Sequence, residues 1–290
     1  MEGLIQAIVN GFMVGMVYAL LAVGIVLIYR ATGVFNFAIG SMTVFGAYTM
    51  ITLYTKIGLS PWLSLLILLA CGALLGLAIE RAFMRPLIAQ PVLAAVIATL
   101  ALTYLLNGIA TGIWGTFSYN IPRFLPMPSI YLGSIVFPAE LLWLLIISSV
   151  VIGAVILFTR YSRIGIQMRA TCESHIIAES RGINVGNIFS LVWIICGMLA
   201  MVAGLLLGIR LGVHPFLSEI AFKCFPAVIF GGLESLVGAL IGGILVGVLE
   251  NLAGYVVASW VMEITPYVIL LLVLIFKPFG LFGWARIERI

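Results

Sequence analysis

The sequence TRYSRIGIQMRATCESHIIAESRGINVGNI, residues 159–188, is a polar segment between two long apolar runs. It contains four arginines, two glutamates and His175, one of the two histidines of the chain. Two interpretations fit a charged, helix-prone segment that a membrane protein keeps on one side of the bilayer. The segment is either a docking surface for a partner or an ordinary positively charged cytoplasmic loop. The rest of the sequence has to decide between them.

The composition of the chain is that of an integral membrane protein. Of 290 residues, 64% are hydrophobic and 8% are charged, whereas a soluble domain carries about 25% charged residues. The net charge of +4 is small, and the basic residues mark the cytoplasmic side of the membrane rather than a nucleic-acid partner. The four cysteines lack the spacing of metal ligands, and we interpret them as small core residues.

Apolar runs that are long enough to cross a bilayer recur along the chain. They predict an all-α, polytopic transmembrane helix bundle with about eight or nine spans. The first run has no Lys or Arg before Arg30, so we expect a retained span rather than a cleaved signal. The short segment 219–230, followed by Gly231 and Gly232, either crosses the membrane or re-enters on the same side. The full runs are residues 4–29, 37–54, 62–79, 92–113, 140–158, 189–209, 236–252 and 263–276.

The distribution of basic residues predicts the orientation of the bundle. Ten of them lie in every second connection between the apolar runs. All ten therefore fall in the cytoplasm if the N-terminus is outside and the C-terminus is inside. This orientation needs an odd number of crossings. Lys56, Arg123 and Arg210 then lie outside. The cytoplasmic residues are Arg30, Arg81, Arg85, Arg160, Arg163, Arg169, Arg181, Lys277, Arg286 and Arg289.

The chain has no motif of a catalytic or nucleotide-binding site, so we expect no enzymatic activity. A stand-alone ion-coupled carrier or channel needs ionisable groups inside the membrane. Glu250, Glu219 and Lys223 are the candidates for that role. Glu250 also fits an interfacial position, and the other two also fit a simple i, i+4 pair. Residues 30–36 separate the first two runs, either as a loop or as an unwound segment that lines a cavity.

Residues 173–185 have the features that an ATP-driven importer needs in its membrane subunit. Such a subunit has no nucleotide site of its own, and force reaches it through a cytoplasmic helix that fits a groove on a separate ATPase. Two small side chains allow close approach, an acidic and a basic side chain supply charge, and Gly182 predicts an αL stop of the helix. The residues of this predicted coupling surface are Glu173, Ala178, Glu179, Ser180, Arg181, Gly182 and Ile183.

Short motifs over nearly the whole chain resemble the LivH-type permeases of branched-chain amino acid ABC importers. Any one motif is weak, but their order and spacing together are specific. The motifs are N-F-A-x-G at 36–40, E-R with R-P-L at 80–87, A-T-L at 98–100, R-A-T at 169–171, R-G-I-N-V at 181–185, G-G-L at 231–233 with G-A and G-G at 238–243, and K-P with G-L-F-G at 277–283.

The resemblance implies one permease domain over residues 1–290 in the bacterial inner membrane. Residues 160–188 would be its cytoplasmic coupling loop and residues 173–185 its coupling helix. The implied partners are a LivM-like second permease, two ABC ATPase subunits that bind the ATP, and a periplasmic substrate-binding protein. No cofactor is bound by this chain itself.

The resemblance also places Asn36, Phe37, Gly231 and Gly232 near the translocation path of a small solute. Asn36 and Thr99 are candidate polar groups of that path, and both fit helix–helix hydrogen bonding equally well. The motif at 36–41 departs from the family, which commonly has a His and a Glu where this chain has isoleucine and serine. The cargo therefore stays open among branched-chain amino acids, urea, short amides and organic acids.

Overall fold

The computed structural model describes residues 2–88, 90–122, 129–133, 135–277 and 279–283. Its longer helices are α1 (Glu2–Thr32), α2 (Ile39–Ile51), α3 (Pro61–Ile79), α4 (Val92–Trp114) and α5 (Ala139–Tyr161). They are followed by α6 (Arg163–Glu173), α7 (His175–Ser180), α8 (Val185–Leu211), α9 (Leu217–Ala221), α10 (Cys224–Gly231), α11 (Leu236–Val256) and α12 (Val261–Phe276). Of the residues placed in loops by the sequence, Arg123, Pro278, Arg286 and Arg289 lie outside the described part.

Six of these helices are long and apolar enough to cross a membrane, which confirms the prediction of a helical, polytopic membrane protein. They are α1, α3 with its extension, α4, α5, α8 and α11. Two other predicted runs are shorter in the structure. Helix α2 has 13 residues and continues as a five-residue π-helical turn, Thr52–Lys56, and α12 has 16 residues.

Helix α3 also continues beyond its predicted end. A π-helical turn, Glu80–Met84, and a 3-10 turn, Arg85–Leu87, follow it without a break. The sequence had been interpreted as a charged loop from residue 80 onward. That interpretation is wrong at this point, because Glu80 is buried and continues the helical path.

The expected long connection between α4 and α5 contains a small antiparallel hairpin, β1 (Ile130–Leu132) and β2 (Ile135–Phe137). The chain is therefore not purely α-helical. The side chain of Gln6 near the start of α1 donates to the carbonyl oxygen of Val136 at 2.7 Å and accepts from its N–H at 2.8 Å. The beginning of α1 and the hairpin are thus in direct contact.

The contacts divide the chain into two compact units that are interleaved along the sequence. The first unit comprises Met1–Val26, Met127–Ser149 and Lys223–Ile290, and the second comprises Leu27–Pro126 and Val150–Phe222. The expectation of a single permease domain stays a prediction.

In the second unit, α8 is the central helix and packs against α2 and α3. Glycines allow these backbones to touch. A Cβ on Gly76 would meet the backbone of Trp193, and a Cβ on Gly204 would meet the carbonyl oxygen of Thr43. Small residues four apart permit such close approach of helices in lipid. The pairs Gly72/Gly76 and Gly204/Gly208, each spaced four residues apart, are such packing positions.

The first unit uses the same device between α1 and α11. Cβ atoms on Gly11 and Gly15 would meet the backbone of α11, and a Cβ on Gly247 would meet the backbone of α1. The pair Gly108/Gly112, which has the same spacing, meets nothing within 4 Å. Spacing alone therefore does not identify which glycine pairs are contact positions within the chain.

Candidate functional site

The polar segment after α5 folds into two short helices, α6 and α7. Ser162 caps α6 by accepting from the N–H of Gly165. Ser174 has an extended conformation, ends α6 and caps α7 by accepting from the N–H of Ile177. The sequence predicted one helix that includes Glu173, and this boundary is wrong. Ser174 interrupts the helix because its side-chain oxygen takes over the free N–H groups of the next turn.

The end of α7 follows the prediction made for Gly182. This glycine has φ +80°. Its N–H donates to the carbonyl oxygen of Glu179, and the N–H of Ile183 donates to that of Ala178. This pair of bonds is the Schellman motif, which needs a left-handed residue at the position of Gly182. The chain then enters α8, which Asn184 caps by accepting from the N–H of Asn187.

Helix α6 is fastened to the end of α5. The Nη1 of Arg169 donates to the carbonyl oxygens of Thr159 and Arg160 at 2.6 and 3.2 Å. Gly165 lies so close that a Cβ there would meet the carbonyl oxygen of Thr159. The free carbonyl groups at the end of α5 are thereby partly satisfied by a charged donor.

His175 connects α7 to two long helices. Its Nε2 lies 3.0 Å from the carbonyl oxygen of Ala31, near the end of α1. A carbonyl oxygen only accepts, so Nε2 carries the proton in this contact. The imidazole also contacts Phe189 of α8 edge-on, with ring centroids 5.4 Å apart. His175 therefore joins α7 to both α1 and α8.

A second link joins α6 to the end of α1. The thiol of Cys172 is half-buried beside Arg30. Burial raises the pKa of Cys172 above its ordinary value, and the nearby Arg30 opposes that effect. The net upward direction of the pKa favours the neutral thiol beside the arginine.

The outer face of α7 is apolar. Ile176 is 82% exposed and Ile177 is 63% exposed. Ala178 is buried against the rest of the unit, whereas Glu179, Ser180, Arg181 and Gly182 are exposed. The structure thus gathers most of the predicted coupling residues on one surface. The two isoleucines were missed, although two adjacent isoleucines in the most polar part of the sequence are themselves a signal of a covered surface.

A polar cluster around the buried Glu80 joins the extension of α3 to the start of α8. The Nε and Nη2 of Arg85 donate to the carboxylate of Glu80 at 2.9 and 3.2 Å. Nη2 also donates to the hydroxyl of Ser190 at 2.8 Å and to the carbonyl oxygen of Gly186 at 3.3 Å. Because Glu80 is 1% exposed, Arg85 and Ser190 supply the partners that a buried carboxylate needs.

Residues 33–38 form an unwound segment between α1 and α2. Thr99 and Thr103 of α4 donate to the carbonyl oxygens of Phe35 and Phe37, both at 3.2 Å. Asn36 is fully buried and accepts from the N–H of Ala38 at 3.0 Å. The backbone that leaves the helix is thus satisfied by protein groups, which a break of a helix inside a membrane would need. Asn36, Phe37 and Thr99 are brought together here, and all three take part in or adjoin these internal bonds.

Gly231 and Gly232 belong to the other unit, in the turn between α10 and α11. Gly232 has φ +101°. The N–H groups of Leu281 and Phe282 donate to the carbonyl oxygens of Phe230 and Gly231 at 2.8 and 3.2 Å. The segment that follows α12 therefore lies at the same end of this unit as the α10–α11 turn.

Two of the three candidate intramembrane charges, Lys223 and Glu250, pair with each other. The Nζ of Lys223 lies 2.6 Å from Oε1 of Glu250. Glu250 is 3% exposed, and Lys223 pairs with it rather than with Glu219. The second oxygen of Glu250, Oε2, is buried without a hydrogen-bond partner among the described residues.

Comparison with known proteins agrees with this architecture. The family described as "Branched-chain amino acid transport system / permease component" matches residues 7–276. The permease protein BraD of the high-affinity branched-chain amino acid transport system of Pseudomonas aeruginosa is 31% identical, over 99% of this chain and 98% of BraD. The LivH permease protein of the corresponding Escherichia coli system is 29% identical, over 99% and 97% of the two chains.

One solved structure shares the fold. The PsaBC complex from Streptococcus pneumoniae, solved with a Fab, matches with a TM-score of 0.50 and 16% identity over 96% of this chain and 93% of that one. The family match covers nearly the whole chain, and the family is one of transport permeases rather than enzymes. The chain belongs to the permease components of branched-chain amino acid transport systems.

Proposed function

We propose that this chain is the membrane-spanning subunit of an ATP-driven importer and that α7 is the element on which a separate ATPase acts. The observation that carries this proposal is the exposed face of α7. Ile176 and Ile177 are the apolar centre of a surface whose rim is polar, with Glu179 and Arg181 beside them. An exposed apolar centre with a charged rim is the composition of a protein–protein interface. The contacts of His175 carry a force on that surface to α1 and α8.

The relatives named above are permeases of branched-chain amino acid transport systems. We therefore propose branched-chain amino acids or related small polar solutes as the cargo. The complete importer would contain this chain, a LivM-like second permease, two ABC ATPase subunits and a periplasmic substrate-binding protein. It would lie in the inner membrane, and ATP would be bound by the partner subunits.

The number of crossings that we propose is nine, with one crossing broken. Lys223, just before α10, pairs with Glu250, which is 14 residues beyond Leu236 at the start of α11. At about 1.5 Å per residue, Glu250 lies about 21 Å along α11 from Leu236, and the side chain of Lys223 reaches that level. This distance is a large part of the roughly 30 Å of a bilayer core. Nine crossings agree with an outside N-terminus and an inside C-terminus.

For the translocation path we retain Asn36, Phe37, Thr99, Gly231 and Gly232 as the proposed lining. Asn36 and Thr99 use their polar atoms in internal bonds. Their polar atoms would accordingly become free to contact the solute when the unwound segment rearranges. Such segments move at low cost, because their backbone groups depend on a few side-chain bonds rather than on a continuous helix.

The experiment that tests the coupling assignment is Gly182→Pro, with Gly182→Asn as the matched control. Proline fixes φ near −65° and has no N–H, so it removes both the left-handed turn and the bond to Glu179. Asparagine tolerates the left-handed conformation. We expect uptake to fall to background in the proline variant, with normal membrane insertion, and to persist in the asparagine variant. Normal uptake by Gly182→Pro would refute the assignment.

A further inference from the structure

A cavity of about 120 Å³ lies beneath α7 in the second unit. Its wall is mostly apolar, and it includes the imidazole that anchors α7. An apolar cavity of about 150 Å³ takes up benzene, so this one matches an aliphatic group of a few carbons. The lining residues include Met84, Leu87, Val92, Ala95, Phe189 and Trp193, with Glu80, Arg85 and His175 as the charged or titratable groups.

The polar part of the wall carries both signs of charge. Glu80 and Arg85 form the ion pair described above, which makes the wall neutral as a whole. The Nη1 of Arg85 takes part in none of the four bonds that fix this side chain, and the side chain is 42% exposed. A ligand that fits both parts of the wall has an aliphatic body, a carboxylate for Nη1 of Arg85 and no net charge, since an uncompensated charge is costly to bury.

We propose that this cavity is a regulatory site for a small aliphatic amino acid that enters from the cytoplasmic side. The choice of ligand rests on the proposed function, because the cytoplasmic product of the importer has this chemistry. A ligand that contacts His175 and the Glu80–Arg85 pair together binds only while they keep this arrangement. It therefore stabilises this conformation of α7 against the others of the transport cycle. Accumulated product would slow further import.

The first test measures binding directly and needs no transport. Radiolabelled L-leucine is added to the purified chain in lipid nanodiscs, and L-lysine is used as a competitor. We expect saturable leucine binding that lysine displaces at least tenfold more weakly. No saturable binding, or equal competition by lysine, would overturn the proposal. Leucine binding that is seen in detergent but disappears in nanodiscs would mean that a lipid chain fills the cavity. This outcome would also overturn the proposal.

A cavity-filling variant locates the site. Ala95 is buried in the cavity wall, and a phenyl group at this position takes the space that the ligand needs. We expect Ala95→Phe to lose leucine binding. Leu93→Phe, two residues earlier and 67% exposed outside the lining, should bind as the unmodified chain does. If Ala95→Phe does not fold, Val92→Phe at the rim of the cavity replaces it. Unchanged binding in the folded variant would refute the location.

Transport provides an independent readout. In proteoliposomes that contain the complete importer, leucine loaded on the ATPase side at about twice its dissociation constant should lower the initial uptake rate about threefold, because only the unoccupied fraction turns over. Ala95→Phe should remove this inhibition and retain uptake into unloaded vesicles. Leucine binding without any ATP-driven uptake would refute the proposed function while leaving the binding site in place. Uptake without inhibition would refute the regulatory role alone.

Discussion

His175 contacts parts of the chain that are far from it in sequence. Its imidazole reaches a carbonyl oxygen 144 residues earlier, in α1, and a phenyl ring in α8. In the sequence, this histidine is one of several polar residues of the segment 159–188. Its partners could not be predicted, because they depend on how α1, α7 and α8 pack rather than on local spacing. The long-range bonds of Thr99 and of Glu80 have the same origin.

We predict that His175→Ala uncouples ATP hydrolysis from uptake. The variant loses the hydrogen bond to the carbonyl oxygen of Ala31. A movement of α7 would therefore no longer be transmitted to the end of α1. Coupling free energies between sites usually correspond to about 5–150-fold, and we expect uptake per ATP hydrolysed to fall about fivefold or more. The measurement compares uptake with phosphate release in proteoliposomes. His214→Ala is the matched control, because this histidine lies after α8, in the loop before α9. Equal coupling in both variants would contradict the role of His175.

We predict that the Lys223–Glu250 pair stabilises the fold and does not carry ions. Removing one partner of a buried pair costs about 3–5 kcal/mol. Lys223→Met and Glu250→Gln should each lower the thermal unfolding midpoint, and the double variant should recover part of the loss. The importer account predicts ATP-driven uptake by the double variant. Loss of a proton- or sodium-driven uptake in Glu250→Gln would instead support a stand-alone carrier.

At the scale of elements, the exposed apolar face of α7 gives a direct test of the proposed ATPase contact. Burial of an isoleucine side chain contributes about 1.5–3 kcal/mol, which corresponds to a tenfold change in affinity or more. We therefore predict that Ile176→Ser and Ile177→Ser each weaken binding of the ATPase subunit at least tenfold. The binding constant is measured with the permease in nanodiscs. Ile166→Ser, at an exposed isoleucine of α6, is the control and should bind normally.

The elements themselves were largely predictable. Each long apolar run became a helix, because a segment in lipid has to satisfy its own backbone groups. Gly182 ended α7 as its conformational freedom predicted. One of the errors arises because distant residues intervene. The extension of α3 through Glu80 depends on Arg85 and on Ser190, which is 110 residues away. The interruption at Ser174 depends on one capping bond, and the hairpin β1–β2 was hidden in a connection rich in proline and aromatic residues.

At the scale of the whole molecule, the nine crossings that we propose would put the turn between α10 and α11 in the cytoplasm. This turn contacts the segment after α12, which the charge distribution places inside. We predict that a cysteine introduced at Glu234, in a chain without its native cysteines, reacts with an impermeant maleimide only from the cytoplasmic side. A cysteine at Lys56 should react only from the outside. Labelling of both positions from the same side would contradict the proposed topology.

The organisation of the whole chain was predictable in class but not in detail. Composition and charge gave a multi-pass membrane protein, and the motifs gave the permease family, both of which are confirmed. The division into two interleaved units was not predictable, because it arises from contacts between segments such as α1 and α11 that are separated by more than two hundred residues. The apolar centre of the coupling surface was missed for a simpler reason, since small and charged side chains were sought there rather than large apolar ones.

The central claim is that this chain transports its solute only as the membrane subunit of an ATP-driven assembly. The measurement that tests it most directly is purification of the tagged chain from its native cells in a mild detergent, with identification of co-purifying proteins by mass spectrometry. The account predicts recovery of a homologous permease and of ATP-binding subunits, with uptake that stops when ATP is depleted. Recovery of the chain alone, with uptake that follows the proton or sodium gradient and ignores ATP depletion, would contradict it.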